Sequence, residues 1–303
     1  MIQRVMPSLN ALPYGGAYAI TDPEVTRDIY HAIKECADED ILNNKSIAED
    51  FLHQYKSWIV DSKLNNLNGL EKFNVLAYSN GTTDGFDHFM LENHSRRFRC
   101  FKGEYMYHLA SWRNNFPDWR NIEDEPLAKG DAVIISMPFS DTGNIHPLTL
   151  EVLSKCDALH IPVLIDSAYY GVSGNLDFDY DRECITDVTF SLSKTFSVAN
   201  LRIGMRLRKI DNDDGLLVNM KNNYTNRLGA GIASKLLSKY NADYNYSTYR
   251  KKQLDFCDIL KVQPSENTVI FGLSKDGYKE YNRGGSSNRI CFSRYLNTGI
   301  LPE

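Results

Sequence analysis

The run SLSKTFSVANLRIG (residues 191–204) places Lys194 at the end of an apolar stretch, with Arg202 eight residues on. A lysine amine can form an imine with an aldehyde, and a guanidinium can hold a phosphate. Upstream, DSAYYG (166–171) ends another apolar run with Asp166, and Tyr169 follows three positions later. A carboxylate so placed can keep a ring nitrogen protonated, so that the ring draws charge from a reacting carbon. YSNGTTDG (78–85) brings Gly81, Thr82 and Thr83 ahead of a helical pattern. Backbone N–H groups at a helix start bind anions, with the helix dipole behind them. GEYMYH (103–108) offers Tyr105, or Tyr107 as the fallback, to stack on a ring. SMPFSDTG (136–143) contributes Ser140, and NRICFS (288–293) contributes Arg289, with Arg294 as the alternative. An arginine fork binds a carboxylate bidentately.

Each segment alone has a plainer reading: a solvent lysine at a strand end, an aspartate capping a turn, a Gly-Thr-Thr helix cap, a surface arginine. Their joint spacing favours the chemical reading. Asp166 lies 28 residues before Lys194 with a strand between them.

Together these segments resemble fold-type I pyridoxal-phosphate (PLP) enzymes, and the class I/II aminotransferases in particular. That family has Ser-x-x-Lys, seven residues, then Arg-x-Gly, and this sequence keeps the spacing. The resemblance gives Lys194 the imine to the cofactor and the role of proton shuttle. Ser191 and Arg202 then contact the phosphate, with Gly81, Thr82 and Thr83 forming the phosphate loop. Asp166 becomes the pyridinium partner and Tyr169 contacts the phenolic oxygen. Tyr105 stacks on the ring, and Arg289 holds the substrate carboxylate. One departure stands out. Where the family has Asn-Pro-x-Asn-Pro-Thr-Gly, Ser140 replaces the second Asn and Asp141 the second Pro. Serine is shorter, which leaves Tyr169 to carry the phenolic-oxygen contact.

The resemblance implies an aminotransferase with PLP as cofactor, amino acids and keto acids as substrates, and a homodimer. Rival reactions on the same scaffold are elimination, β/γ-replacement and decarboxylation. A non-catalytic homologue is a further alternative. A nucleotide-binding domain ranks last, because neither a G-x-x-x-x-G-K-[ST] loop nor a G-x-G-x-x-G after the first strand is present. Tyr14 and Tyr18, in YGGAY, are further pocket candidates, with packing the plainer role.

Composition excludes other classes. A net charge of −5 argues against a nucleic-acid surface, and the clusters Arg96–Arg97–Arg99 and Arg250–Lys251–Lys252 read as solvated faces. The six cysteines contain no C-x-x-C, and the seven histidines show no metal spacing, so buried reduced thiols and no metal are expected. No signal peptide and no apolar run long enough for a membrane span are evident, which places the chain in the cytoplasm.

The elements that must position these residues are of α/β type. Apolar strands are expected at 73–79, 97–103, 132–137, 161–166, 188–192 and 201–207, with a helix over 147–159. Such alternation predicts a mostly parallel sheet covered by helices, with ligands at the strands' carboxyl ends. Helices are also expected at 25–36, 47–60 and 215–240, and strands at 268–273 and 289–295. The expected division is a large PLP-transferase-like domain at 60–212, with a small α+β domain built from 1–59 and 213–303.

Overall fold

A computed structural model describes residues 11–302. In chain order the elements are α1 (Pro23–Asp38), α2 (Ile47–Val60), β1 (Asn66–Asn68), β2 (Val75–Ser79), α3 (Thr82–Glu92) and β3 (Arg97–Cys100). There follow α4 (Met106–Asn115), β4 (Arg120–Asn121), β5 (Asp131–Ser136), α5 (Thr149–Leu159), β6 (Val163–Ser167), β7 (Asp177–Asp179) and β8 (Ile185–Ser191). The chain then forms β9 (Gly204–Arg208), α6 (Gly215–Lys221), α7 (Arg227–Lys239), α8 (Tyr244–Leu260), β10 (Gln263–Pro264), β11 (Phe271–Ser274) and β12 (Asn288–Cys291).

The main sheet has seven strands in the order β2-β9-β8-β6-β5-β3-β4. All pairings from β8 through β6, β5 and β3 to β4 are parallel. Only β9 runs antiparallel to its neighbours, β2 and β8. The sheet is therefore α/β and mostly parallel, as expected. Every residue of β5 (DAVIIS) is buried, because helices cover both faces and leave no polar side. Val133 and Ile135 pack on one face with α2, α5 and α7, while Ala132 and Ile134 pack on the other with Phe86, Phe89 and Trp112 of α3 and α4.

Register gathers one edge. Ser136 of β5 pairs with Asp166 of β6, and Ser191 of β8 pairs with Gly204 of β9, which also pairs with Ser79 of β2. Because β9 runs backwards, its first residue lies beside the last residues of β2 and β8. Residues after Ser79, Ser136 and Ser191 thus emerge together with Asp166.

The apolar cores cut across the expected division. The apolar stripe of α1 (Val25, Ile29, Ala32, Cys36) and those of α2 and α7 share one core with the large sheet. Their amphipathic faces find the larger apolar surface available, so these flanks belong with the sheet. A second core joins Tyr14 and Ile20 to α8 and to the antiparallel sheet β10-β11-β12. The helix expected at 215–240 is two helices, α6 and α7, with Asn226 capping the second through the Gly229 N–H at 2.8 Å.

The basic clusters are not simply solvated. Arg99 is fully buried and paired with Asp131 at 2.6 Å, and Arg97 reaches the same carboxylate at 2.8 Å. Arg250 donates to the Ser265 carbonyl at 2.6 Å. All six cysteines are free and buried. Among the described residues, no helix is long and apolar enough to cross a membrane, and no cluster of three or more metal-ligating side chains occurs.

Candidate active site

At the carboxyl edge of the sheet lies a cavity of about 270 Å³, lined by Thr82, Thr83, Tyr105, Ser140, Asp166, Tyr169, Lys194, Arg202 and Arg289 among others. Nine of the residues singled out from sequence therefore converge on one space. Lys194 follows β8 and donates to the Ala17 carbonyl at 2.5 Å, so the N-terminal segment crosses the lysine.

The anion end is built around α3. That helix begins at Gly81 with no side-chain cap, so its first N–H groups have no side-chain acceptor. Gly81 has φ +79°, and a Cβ there would lie 2.4 Å from Arg202 Nη2. Glycine thus lets the guanidinium cross the helix start, where Arg202 Nη2 donates to the Asn80 carbonyl (2.6 Å) and Thr83 Oγ1 (3.2 Å). Gly204 backs onto this turn: a Cβ there would lie 2.8 Å from Gly81 Cα. Ser191 does not line the cavity. It is buried, its hydroxyl donating to the Ile203 carbonyl and accepting the Ser193 N–H, and Ser193 lines the cavity in its place.

The carboxylate end is buried. Asp166 is 4% exposed, accepts the Ala168 N–H at 3.0 Å, and forms no ion pair within the described residues. Burial pushes its carboxyl up to about 8; Glu104 adds to the rise, while Ala168, Thr82 and Lys194 oppose it. Glu104 itself accepts the Ser136 N–H (2.7 Å) and hydroxyl (2.5 Å) and the Tyr105 N–H (3.2 Å). Burial raises it to about 7 despite those bonds. Sequence reading missed Glu104, although it adjoins Tyr105. Asp141, buried with neither oxygen hydrogen-bonded, is raised to about 6 by burial, with Arg289 and Arg283 opposing.

These three shifts have one consequence for stability. Each carboxyl holds in the native state a proton that the unfolded chain releases near pH 4, so stability is fully present below about pH 4 and is lost as pH rises through about 6 to 8. The melting temperature of the cofactor-free chain is expected to fall across that window, and Glu104→Gln to flatten the fall. An unchanged slope in the variant would contradict the burial assigned to Glu104.

At the far wall, Tyr169 packs edge-on against Phe271, and Arg289 lies with its guanidinium 4.3 Å from the Phe271 ring centroid. Arg289 Nη1 donates to the Ser140 carbonyl at 2.5 Å and to Tyr169 Oη at 3.4 Å. Tyr105 lines the cavity, 37% exposed, whereas the Tyr107 hydroxyl is committed to Asp87 at 2.8 Å. Tyr14 is buried among Tyr278, Tyr281, Phe292 and Tyr295, a packing role, while Tyr18 reaches the cavity with Arg294 over its ring at 4.4 Å. Asn245 of α8 was also missed. It ties the two motif loops together, donating to the Gly171 and Thr195 carbonyls at 2.9 Å each.

A protonated ring nitrogen, an aldehyde and a phosphate each find a counterpart here: an unpaired buried carboxylate, a lysine amine, and an uncapped helix start crossed by an arginine. The residues fit PLP, and the fold and site define a PLP-dependent enzyme. The chain belongs to the aminotransferase class I and II family, whose model matches residues 90–257. Among solved structures, tyrosine aminotransferase from Leishmania infantum is similar at 14% identity and TM-score 0.69, over 98% of this chain and 96% of that one. The PLP-bound C-S lyase from Staphylococcus hominis gives 15% identity and TM-score 0.69, over 95% and 89%. A probable N-succinyldiaminopimelate aminotransferase from Thermus thermophilus gives 14% and 0.63, over 89% and 88%. At such identities the likeness speaks to the fold alone. No curated protein matches the sequence.

Proposed function

We propose that this PLP-dependent aminotransferase acts on an α-amino acid, with Lys194 as the reacting lysine and Arg289 as the carboxylate anchor. The observation that carries the reading is the convergence of Lys194, the unpaired Asp166 and the Arg202-crossed start of α3 on one cavity.

When bound, PLP supplies an electron sink for charge developing at the substrate α-carbon. Lys194 Nζ takes the α-proton and returns it, acting as general base and then acid. It first gives up its bond to the Ala17 carbonyl. Asp166 holds the ring-nitrogen proton. The α3 N–H groups, the Thr82 and Thr83 hydroxyls, Ser193 and Arg202 bind the phosphate, with Ser191 bracing Ser193 from behind. Tyr169 would donate to the phenolic oxygen, and Tyr105 would stack on the ring, both from the cavity wall. Arg289 has its Nε–Nη2 edge free of hydrogen bonds to the described residues, which suits a bidentate grip on the α-carboxylate. Ser140 presents its backbone carbonyl to Arg289 and so orients that fork.

On the same reading the enzyme is a cytoplasmic homodimer. Its large unit is the seven-stranded sheet with α1 to α7, and its small unit is residues 11–20 with α8 to β12.

The test is an absorption spectrum of the full chain with added PLP, followed by an amino-acid panel. Expected are a visible band bleached by borohydride, its loss on adding one amino acid, and its return with a keto acid. Keto-acid release without that reversible loss would assign a lyase instead, and no band at saturating PLP would overturn the reading.

A further inference from the structure

Arg283 has no counterpart in the chemistry assigned so far. It lines the cavity together with Arg289, half-buried. Neither a hydrogen bond nor an ion pair joins it to any described residue, and its Nε is buried without a partner. Arg289 Nε is buried and unpartnered in the same wall. A guanidinium whose Nε is shut from water with no acid paired to it is costly, and a second one in the same wall adds repulsion. Burial and the neighbouring Arg289 together lower the Arg283 guanidinium to about 10.

The nearest acid does not resolve this. Asp141 adjoins both arginines but accepts a hydrogen bond from neither. It is walled in by Gly103 and Gly285, where a Cβ would lie 2.9 Å from Asp141 Cβ and 2.2 Å from Asp141 Oδ2. Nor is Arg283 on a loose tip. Asn282 Nδ2 donates to the Gly285 and Ser287 carbonyls at 3.3 Å each and to Asn288 Oδ1 at 3.0 Å, while its Oδ1 accepts the Gly284 N–H at 2.9 Å. The turn 282–288 is braced from within, one strand residue before Arg289.

We propose that Arg283 and Arg289 form a two-cation subsite supplied by one chain, so that the amino-acid substrate carries a second carboxylate on its side chain. Arg289 takes the α-carboxylate and Arg283 the distal one. The proposal rests on the reading of Arg289 as carboxylate anchor and names the substrate class: an acidic amino acid and its dicarboxylic keto acid. A bound dianion satisfies both Nε donors and replaces the repulsion between the arginines with two attractions.

The test is calorimetric binding of glutarate and of butyrate to the full chain, with and without saturating PLP. A charge-assisted hydrogen bond predicts that glutarate binds roughly 10- to 100-fold more tightly than butyrate. In Arg283→Met that preference collapses towards unity, and Arg283→Lys, which keeps the charge but not the fork, retains part of it. Equal binding of the two acids by the wild type, or an undiminished preference in Arg283→Met, overturns the subsite. The PLP band is read separately. Its absence refutes the cofactor reading while the binding ratio still decides the subsite, and its presence with no glutarate preference leaves the aminotransferase and removes only the acidic substrate.

Discussion

Lys194→Ala is expected to abolish the borohydride-sensitive band and to lower turnover by about 10⁴-fold, since on the proposed reading one side chain both attaches the cofactor and carries the proton. The fold should survive. Lys194 is half-buried and lines the cavity, belongs to neither apolar core, and hydrogen-bonds a main-chain carbonyl, that of Ala17. The check is therefore a pair of measurements on one sample, turnover and thermal melting. A variant that melts like the wild type and has lost both band and turnover assigns the lysine. A variant that keeps the band places the reacting amine elsewhere.

Asp166→Asn carries the second large effect, and it separates stability from function. Asparagine is nearly the same shape but cannot stay ionised beside a protonated ring nitrogen. Loss of one preorganised electrostatic contact of this kind lowers turnover by roughly 10²- to 10³-fold. The cofactor-free variant is nevertheless expected to be at least as stable as the wild type at pH 8 and above. Burial raises the Asp166 carboxyl to about 8, so ionising it in the empty pocket costs stability that a neutral amide does not. Melting and kinetics measured at pH 8.5 should thus move in opposite directions. If both fall together, Asp166 is a structural residue and the ring nitrogen has another partner.

The sequence made the sheet edge legible because motif and register obey the same rule. Strands that are apolar throughout can only be central, and the polar residues that interrupt them mark the end where ligands bind. Lys194, Asp166 and Thr82 all fell on that edge. Helix α8 was not legible. Its buried face is Tyr246, Tyr249, Gln253 and Phe256, helical in spacing but masked by tyrosine and glutamine. Gln253 is inside because its amide feeds the Ser265, Thr268 and Phe271 carbonyls at the base of the small sheet, which no composition rule announces. The assignment of α1 and α2 to the large sheet was equally hidden, because an amphipathic stripe states that a partner exists and not which one. Ser193 displaced Ser191 for a local reason: β8 ends at Ser191, whose hydroxyl turns back to the Ile203 carbonyl, and Ser193 already lies in the turn that opens on the cavity. Arg283 lies in a glycine-rich turn with no motif of its own, and only the third dimension brings it beside Arg289.

The bond from Lys194 to the Ala17 carbonyl places part of the lysine's environment in main chain rather than in a side chain. Position 17 can therefore drift among small residues while the contact persists, whereas a bulky side chain would press on the core against which Ala17 packs and on the cavity it lines. What such drift cannot supply is the path of the chain through 14–18, anchored by the Tyr14 ring packed among four other aromatic rings. Selection on this part of the site acts on the anchor at Tyr14, three residues from the atom that touches the lysine.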